Sequence, residues 1–128
     1  MATVLVVEDN PDQRVLRRLI LERAGHTVLD AANAADALAV ARAGGIGCVL
    51  MDLGLPHAQD GLGLIAELQT MDARLPVVVL SGSAIELTAL RDAGSVAATL
   101  SKPVRTERLL RTLQRLTAAF LLLLIGAA

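Results

Sequence analysis

Residues 4–10 read VLVVEDN: four large apolar side chains in a row, then two adjacent carboxylates, Glu8 and Asp9. Consecutive apolar positions do not alternate in polarity, so a strand made of them is covered on both faces, as in a parallel sheet. Neighbouring carboxylates repel, and burying either is costly, so the end of this strand calls for a positive partner. Working outward, short apolar runs recur at Thr27–Leu29, Val49–Met51, Val77–Leu80 and Ala97–Leu100. The intervals between them can hold helices. Pro11–Ala24 carries Val15, Leu16, Leu19 and Ile20 at helical spacing and stops at Gly25. Asn33 caps Ala34–Ala43, which ends at Gly44-Gly45. Leu62–Met71 and Ile85–Ala93 follow, the latter ended by Gly94, and Thr106 to about Ala119 closes the series. Five strands alternating with five helices predict a doubly wound α/β sandwich. The chain of 128 residues shows no repeat or linker and is expected to be one domain, residues 1–128.

Composition narrows the function classes. The net charge is -1 and aromatic residues are nearly absent, Phe120 being the only one. A basic footprint and stacking platforms for nucleic acid are therefore both missing. The single Cys48 excludes an internal disulfide and suits a reducing compartment; at the start of an apolar run it reads as a small buried hydrophobe. No basic segment followed by a long apolar one opens the chain, so a cytoplasmic protein is expected.

In open parallel sheets, ligands sit beyond the carboxyl ends of the strands. The residues closing the runs are Glu8 and Asp9, then Asp52, then Ser81, then Lys102-Pro103; the second run ends in Asp30-Ala31 and adds nothing obvious. Three carboxylates, a hydroxyl and an amine are thus expected at one edge. Oxygen-only ligands suit a hard divalent ion, with Mg2+ the expected one. Successive strand residues point to opposite faces, so Glu8 and Asp9 cannot both be central strand residues aimed alike. Asp9 is expected to face the ion directly, with Glu8 acting directly or through water. Metal, lysine and hydroxyl together can neutralise a phosphoryl group, and Asp52 is the nucleophile placed to accept one as an acyl phosphate.

At these residues the sequence resembles the response regulator receiver domains of two-component signalling. The motifs are VLVVEDN, VLMDLGLP, VVVLSG and LSKP, in the family's order, with 43 residues from Asp9 to Asp52, 29 on to Ser81 and 21 on to Lys102. The likeness runs from Thr3 to about Thr117. It implies a flavodoxin-like fold with five parallel strands in the order 2-1-3-4-5. It also implies that Glu8, Asp9, Asp52 and the backbone carbonyl of Gly54 hold Mg2+. Asp52 would be the phosphoacceptor, taking its phosphoryl group from a phosphohistidine of a sensor or hybrid histidine kinase or of a histidine phosphotransfer protein. Ser81 would bind the phosphoryl as the switch hydroxyl, Lys102 would pair with it, and the Lys102-Pro103 bond would be cis. Such a domain is not an enzyme in the ordinary sense; it catalyses its own phosphorylation and slow dephosphorylation. Its output face, from the fourth helix through the fifth strand to the fifth helix, spans about Ser83 to Thr117 and would meet a downstream protein or a dimer mate.

The chain departs from the family's pattern in four places. Thr99 occupies the position where the family usually has a Tyr or Phe that swings inward, so the aromatic switch is degenerate; the bland reading is a half-buried strand residue. The loop LPHAQDGLGL is one residue longer than usual and lacks the usual Met. His57 within it, and His26 beside Gly25, read as exposed loop histidines. Gly54 and the small Ser83 leave the phosphorylation pocket open, so a prolonged acyl-phosphate lifetime is not expected. The apolar tail, residues 118–128, is AAFLLLLIGAA and spans about 16 Å as a helix, too short to cross a bilayer. It could extend the fifth helix and pack on the domain or a dimer mate, begin a longer segment, or touch a membrane surface.

Two other classes compete. An aspartate-nucleophile phosphatase needs a second Asp two positions after the nucleophile, and Gly54 stands there. A degenerate, phosphorylation-independent interaction module would tolerate Thr99 but not require the five pocket residues. No helix-turn-helix is visible, so direct DNA binding is not expected. Arg14, Arg17, Arg18 and Arg23 tilt the first helix basic and mark it as a weak kinase-docking candidate.

Overall fold

The computed structural model describes residues 2–53, 58–94 and 96–126, with the backbone alone for residues 58–60, 123 and 124. The strands are β1 (Thr3–Val7), β2 (Thr27–Ala31), β3 (Cys48–Asp52), β4 (Val77–Ser81) and β5 (Ala98–Ser101). The helices are α1 (Pro11–Arg23), α2 (Ala34–Arg42), α3 (Ala58–Met71), α4 (Ala84–Ala93) and α5 (Thr106–Gly126). All pairings are parallel, in the order β2-β1-β3-β4-β5, which is the flavodoxin-like arrangement expected.

Side-chain alternation along the strands divides the core into two layers. Leu5, Val7, Val49, Met51, Val77 and Val79 pack with α2, α3 and α4 through Ala37, Ala41, Leu64, Ile65, Leu68, Leu87 and Leu90. Val4, Val6, Cys48, Leu50, Val78, Leu80 and Leu100 pack with α1 and α5 through Leu21, Leu109 and Leu113. Cys48 is buried, and burial pushes its thiol up to about 12, as a small hydrophobe requires.

Local chemistry sets the helix ends. The Asn10 side chain accepts from the Asp12 and Gln13 amides, and Pro11 opens α1 where a missing N–H costs nothing. Asn33 and Ser83 cap α2 and α4 in the same way. Gly94, at φ +66, ends α4 in the left-handed conformation that favours glycine. Gly61 serves another purpose: a Cβ there would stand 2.9 Å from Leu53 Cδ2, so its absence lets α3 approach the residue that follows Asp52.

Three expectations are corrected. The helix α3 begins at Ala58, four residues before Leu62. On α1 the buried residues are Arg17 and Leu21, whereas Val15, Leu16 and Leu19 are each about half exposed. Apolar spacing locates a helix but does not reveal which stripe meets the sheet, and an arginine stem can line that stripe while its charged head reaches a polar partner. His26 is half-buried, and its Nδ1 is buried without a hydrogen-bond partner; burial foremost, then the N-terminal charge, lowers its pKa against a raising effect of the Ala2 backbone. The apolar tail continues α5 to Gly126: Phe120 is buried, and Leu121, Leu122 and Ile125 are exposed. Among the described residues, no helix is long and apolar enough to cross a membrane.

Candidate phosphoacceptor site

The site grows out of strand parity. The Glu8 amide donates to the Ala31 carbonyl at 3.0 Å, so the ladder between β1 and β2 runs one residue past Val7. Glu8 therefore continues the Val4–Val6 side, towards α1. Asp52 continues the Cys48–Leu50 side of β3 in the same direction, and Lys102 follows Leu100 at the end of β5. Ser81 continues the Val77–Val79 side of β4, towards α4.

The side chains meet as parity dictates. Lys102 Nζ donates to Asp52 Oδ2. The Lys102 amide also donates to the Ser81 carbonyl at 2.9 Å, which ties the two strand ends together, and the Lys102-Pro103 bond is cis as expected. Asp52 is 4% exposed and Glu8 2%. Arg17 reaches from α1 into the same pocket, with Nη2 3.6 Å from Glu8 Oε1 and 4.0 Å from Asp52 Oδ2. The Asn10 amide donates to Glu8 Oε2 at 3.4 Å, and Arg14 Nη1 donates to the Glu8 carbonyl at 2.8 Å. Burial foremost, then a hydrogen bond with Asp52 and its negative charge, pushes the Glu8 carboxyl up to about 7, against the lowering effects of the Asn10 amide and Arg17.

The Ser81 hydroxyl accepts from the Ser83 amide at 3.0 Å and donates to Glu86 Oε1 at 3.2 Å. Its proton is thus held by α4. Thr99 is half-buried and accepts a hydrogen bond from Arg91 Nη2 at 3.0 Å, which links β5 to α4 at the position where the family resemblance implies an aromatic residue.

The expected triad of carboxylates is not gathered as such. Glu8 and Asp52 meet, but Asp9 is half-buried, and among the described residues no group of three His, Cys, Asp or Glu side chains is placed to hold a metal. Gly54 and His57 lie outside the described residues. The chemistry of the pair still fits a hard cation: all the donors are oxygen, and Glu8 Oε1 is buried without a hydrogen-bond partner.

Sequence reasoning missed Arg17, Glu86 and Arg91. Their spacings were legible: Arg17 lies four residues before the buried Leu21 on one helical stripe, and Glu86 stands three residues after the cap Ser83. Three of the four arginines on the basic side of α1 have partners within the domain. Arg14 and Arg17 serve the pocket, and Arg18 pairs with Glu22 and with Asp30 at 3.0 Å.

Comparison with known proteins identifies the family and supports the fold. Residues 4–114 match the family profile of the response regulator receiver domain. BvgA of Bordetella pertussis, named as a transcription regulator of virulence factors, is 38% identical over 96 residues, covering 74% of this chain and 46% of its own. Protein PilH of Pseudomonas aeruginosa is 34% identical over 122 residues, covering 92% of this chain and 99% of its own. The solved chemotaxis response regulator CheY4 of Vibrio cholerae superposes with a TM-score of 0.80 at 28% identity, over 91% of this chain and 98% of that one. The chain spans less than half the length of the first curated relatives it matches. Some of these are transcription regulators by name, so they lend no support to the expectation that DNA binding is absent.

Proposed function

This chain belongs to the response regulator receiver domain family, and from that premise we propose that Asp52 accepts a phosphoryl group from the phosphohistidine of a histidine kinase or phosphotransfer protein. The family makes the chain a signalling domain rather than a conventional enzyme. The carrying observation is the buried Asp52 carboxylate at the end of the central strand, held by Lys102 beside the buried Glu8.

An Asp52 carboxylate oxygen attacks phosphorus; the new O–P bond forms as the P–N bond breaks, and the electron pair stays on the imidazole nitrogen. Lys102 offsets the charge gathering on the phosphoryl oxygens. Glu8 and Asp52 would hold Mg2+, with Asp9 and the Gly54 carbonyl as further ligands implied by the family. Bound there, the ion would supply charge neutralisation at the phosphoryl oxygens. The Ser81 hydroxyl then exchanges Glu86 for a phosphoryl oxygen, which shifts the population of α4 positions. The readout surface is α4-β5-α5, where a groove of about 640 Å3 is lined by Thr99, Arg105, Arg108, Arg111 and Arg115. A downstream protein or a dimer mate docks there, in the cytoplasm. The kinase docks on α1 through the exposed Val15, Leu16 and Leu19 rather than through its arginines.

Incubation with a small acyl-phosphate donor and magnesium, followed by intact mass, tests this reading. Wild type should gain one phosphoryl mass and Asp52→Ala none. No gain in wild type, or the same gain in the variant, would sink it.

A further inference from the structure

The α1 helix sends one charged side chain into the core, and it goes to the acidic pocket. Arg17 is 8% exposed, and its guanidinium lies between Glu8 Oε1, at 3.6 Å, and Asp52 Oδ2, at 4.0 Å. Neither separation is a hydrogen bond, and Arg17 Nε is buried with no partner. A guanidinium buried for structural reasons is ordinarily locked by a bidentate pair and has its donors satisfied. Arg17 is instead held by charge, with no hydrogen bond fixing its head against either carboxylate. Lys102 is already on Asp52 Oδ2, so two carboxylates here face two cations from the protein itself.

We propose that Arg17 is a resident cation of the phosphoacceptor pocket: it neutralises the Glu8–Asp52 pair in the absence of metal and competes with a divalent ion for Glu8, keeping the pocket's metal affinity low. This role rests on the divalent-ion site proposed above. The competition has a physical basis in the atoms concerned. Glu8 Oε1 accepts no hydrogen bond, and Arg17 Nη2 stands 3.6 Å from it, so an ion that takes this oxygen must push the guanidinium aside or bear its repulsion.

Magnesium titrations at fixed ionic strength, read by thermal unfolding and by calorimetry, test the role directly. Wild type, Arg17→Met and Arg17→Lys are compared. Methionine fills the space of the arginine stem without its charge. Removing one positive charge a few ångströms from a divalent ion should tighten half-saturation about tenfold, even at a dielectric constant close to that of water. Arg17→Lys, whose charge sits on a shorter stem, should fall between the two. If Arg17→Met binds magnesium within about twofold of wild type, the competition is refuted. An absence of magnesium response in all three proteins refutes it equally. Should Arg17→Met fail to unfold cooperatively, Arg17→Lys decides, and an affinity equal to wild type overturns the proposal. Phosphorylation of Asp52, read by intact mass, reports separately on the functional reading. That reading can therefore stand if the competition fails.

Discussion

Glu8 is a carboxylate held close to the midpoint of its titration at neutral pH, because burial and Asp52 push it up to about 7 from an ordinary 4.5. The native state therefore keeps a proton that the unfolded chain has already released. The stabilisation this gives is complete below about pH 4.5 and is lost as the pH rises through about 7. In metal-free buffer, the urea midpoint of wild type should fall between pH 5 and pH 8. Glu8→Gln, which cannot titrate, should show a flatter profile over the same interval; parallel profiles would show that Glu8 does not carry the effect. At this scale the sequence disclosed Glu8, Asp52, Ser81 and Lys102, because each closes an apolar run at a strand end. It concealed Arg17, because an arginine within a helix reads as solvated surface until the helix is docked.

Among the elements, α1 separates what can be read locally from what packing decides. Its start, at Asn10-Pro11, follows from capping chemistry. Its orientation does not: the sheet takes Arg17 and Leu21 and leaves Val15, Leu16 and Leu19 outside. Two substitutions on this helix should consequently differ in kind. Leu21→Ala opens a cavity against Val4 and Val28 and should cost about 2–5 kcal/mol by chemical denaturation. Leu16→Ser should change stability by no more than about 0.5 kcal/mol, as a surface substitution does. It should nevertheless slow phosphoryl transfer from a histidine kinase while leaving labelling by a small acyl-phosphate donor intact. Equal loss with both donors would show that Leu16 serves the pocket rather than the dock. The start of α3 at Ala58 was hidden for a related reason: polar Gln59 and Asp60 precede its apolar stripe, so periodicity appears only from Leu62 onward.

For the molecule as a whole, alternation of short apolar runs with helices was enough to specify the sheet, its strand order being implied by the family resemblance. The tail was harder to read, since a helical apolar stretch can pack, pair or stop. It continues α5, and Phe120 returns to the body of the domain beside Leu116, Leu75 and Val96 at the lower edge of the sheet. Phe120→Ala should destabilise the whole domain by about 3–5 kcal/mol, seen as one cooperative shift of the melting curve. A frayed tail with an unchanged midpoint would mean that the last turns of α5 are independent of the core.

The division of the core into two layers bears on signalling. Asp52 belongs to the layer shared with α1 and α5, where it meets Arg17, whereas Ser81 belongs to the layer shared with α4, where it meets Glu86. The intact sheet keeps these compartments apart. A phosphoryl group joined to Asp52 as an acyl phosphate and grasped by Ser81 would be a clasp over the rim of the sheet, fastening one compartment to the other. The message would then be a change in how two separately packed halves are coupled, which a protein can transmit without an aromatic ring moving between them.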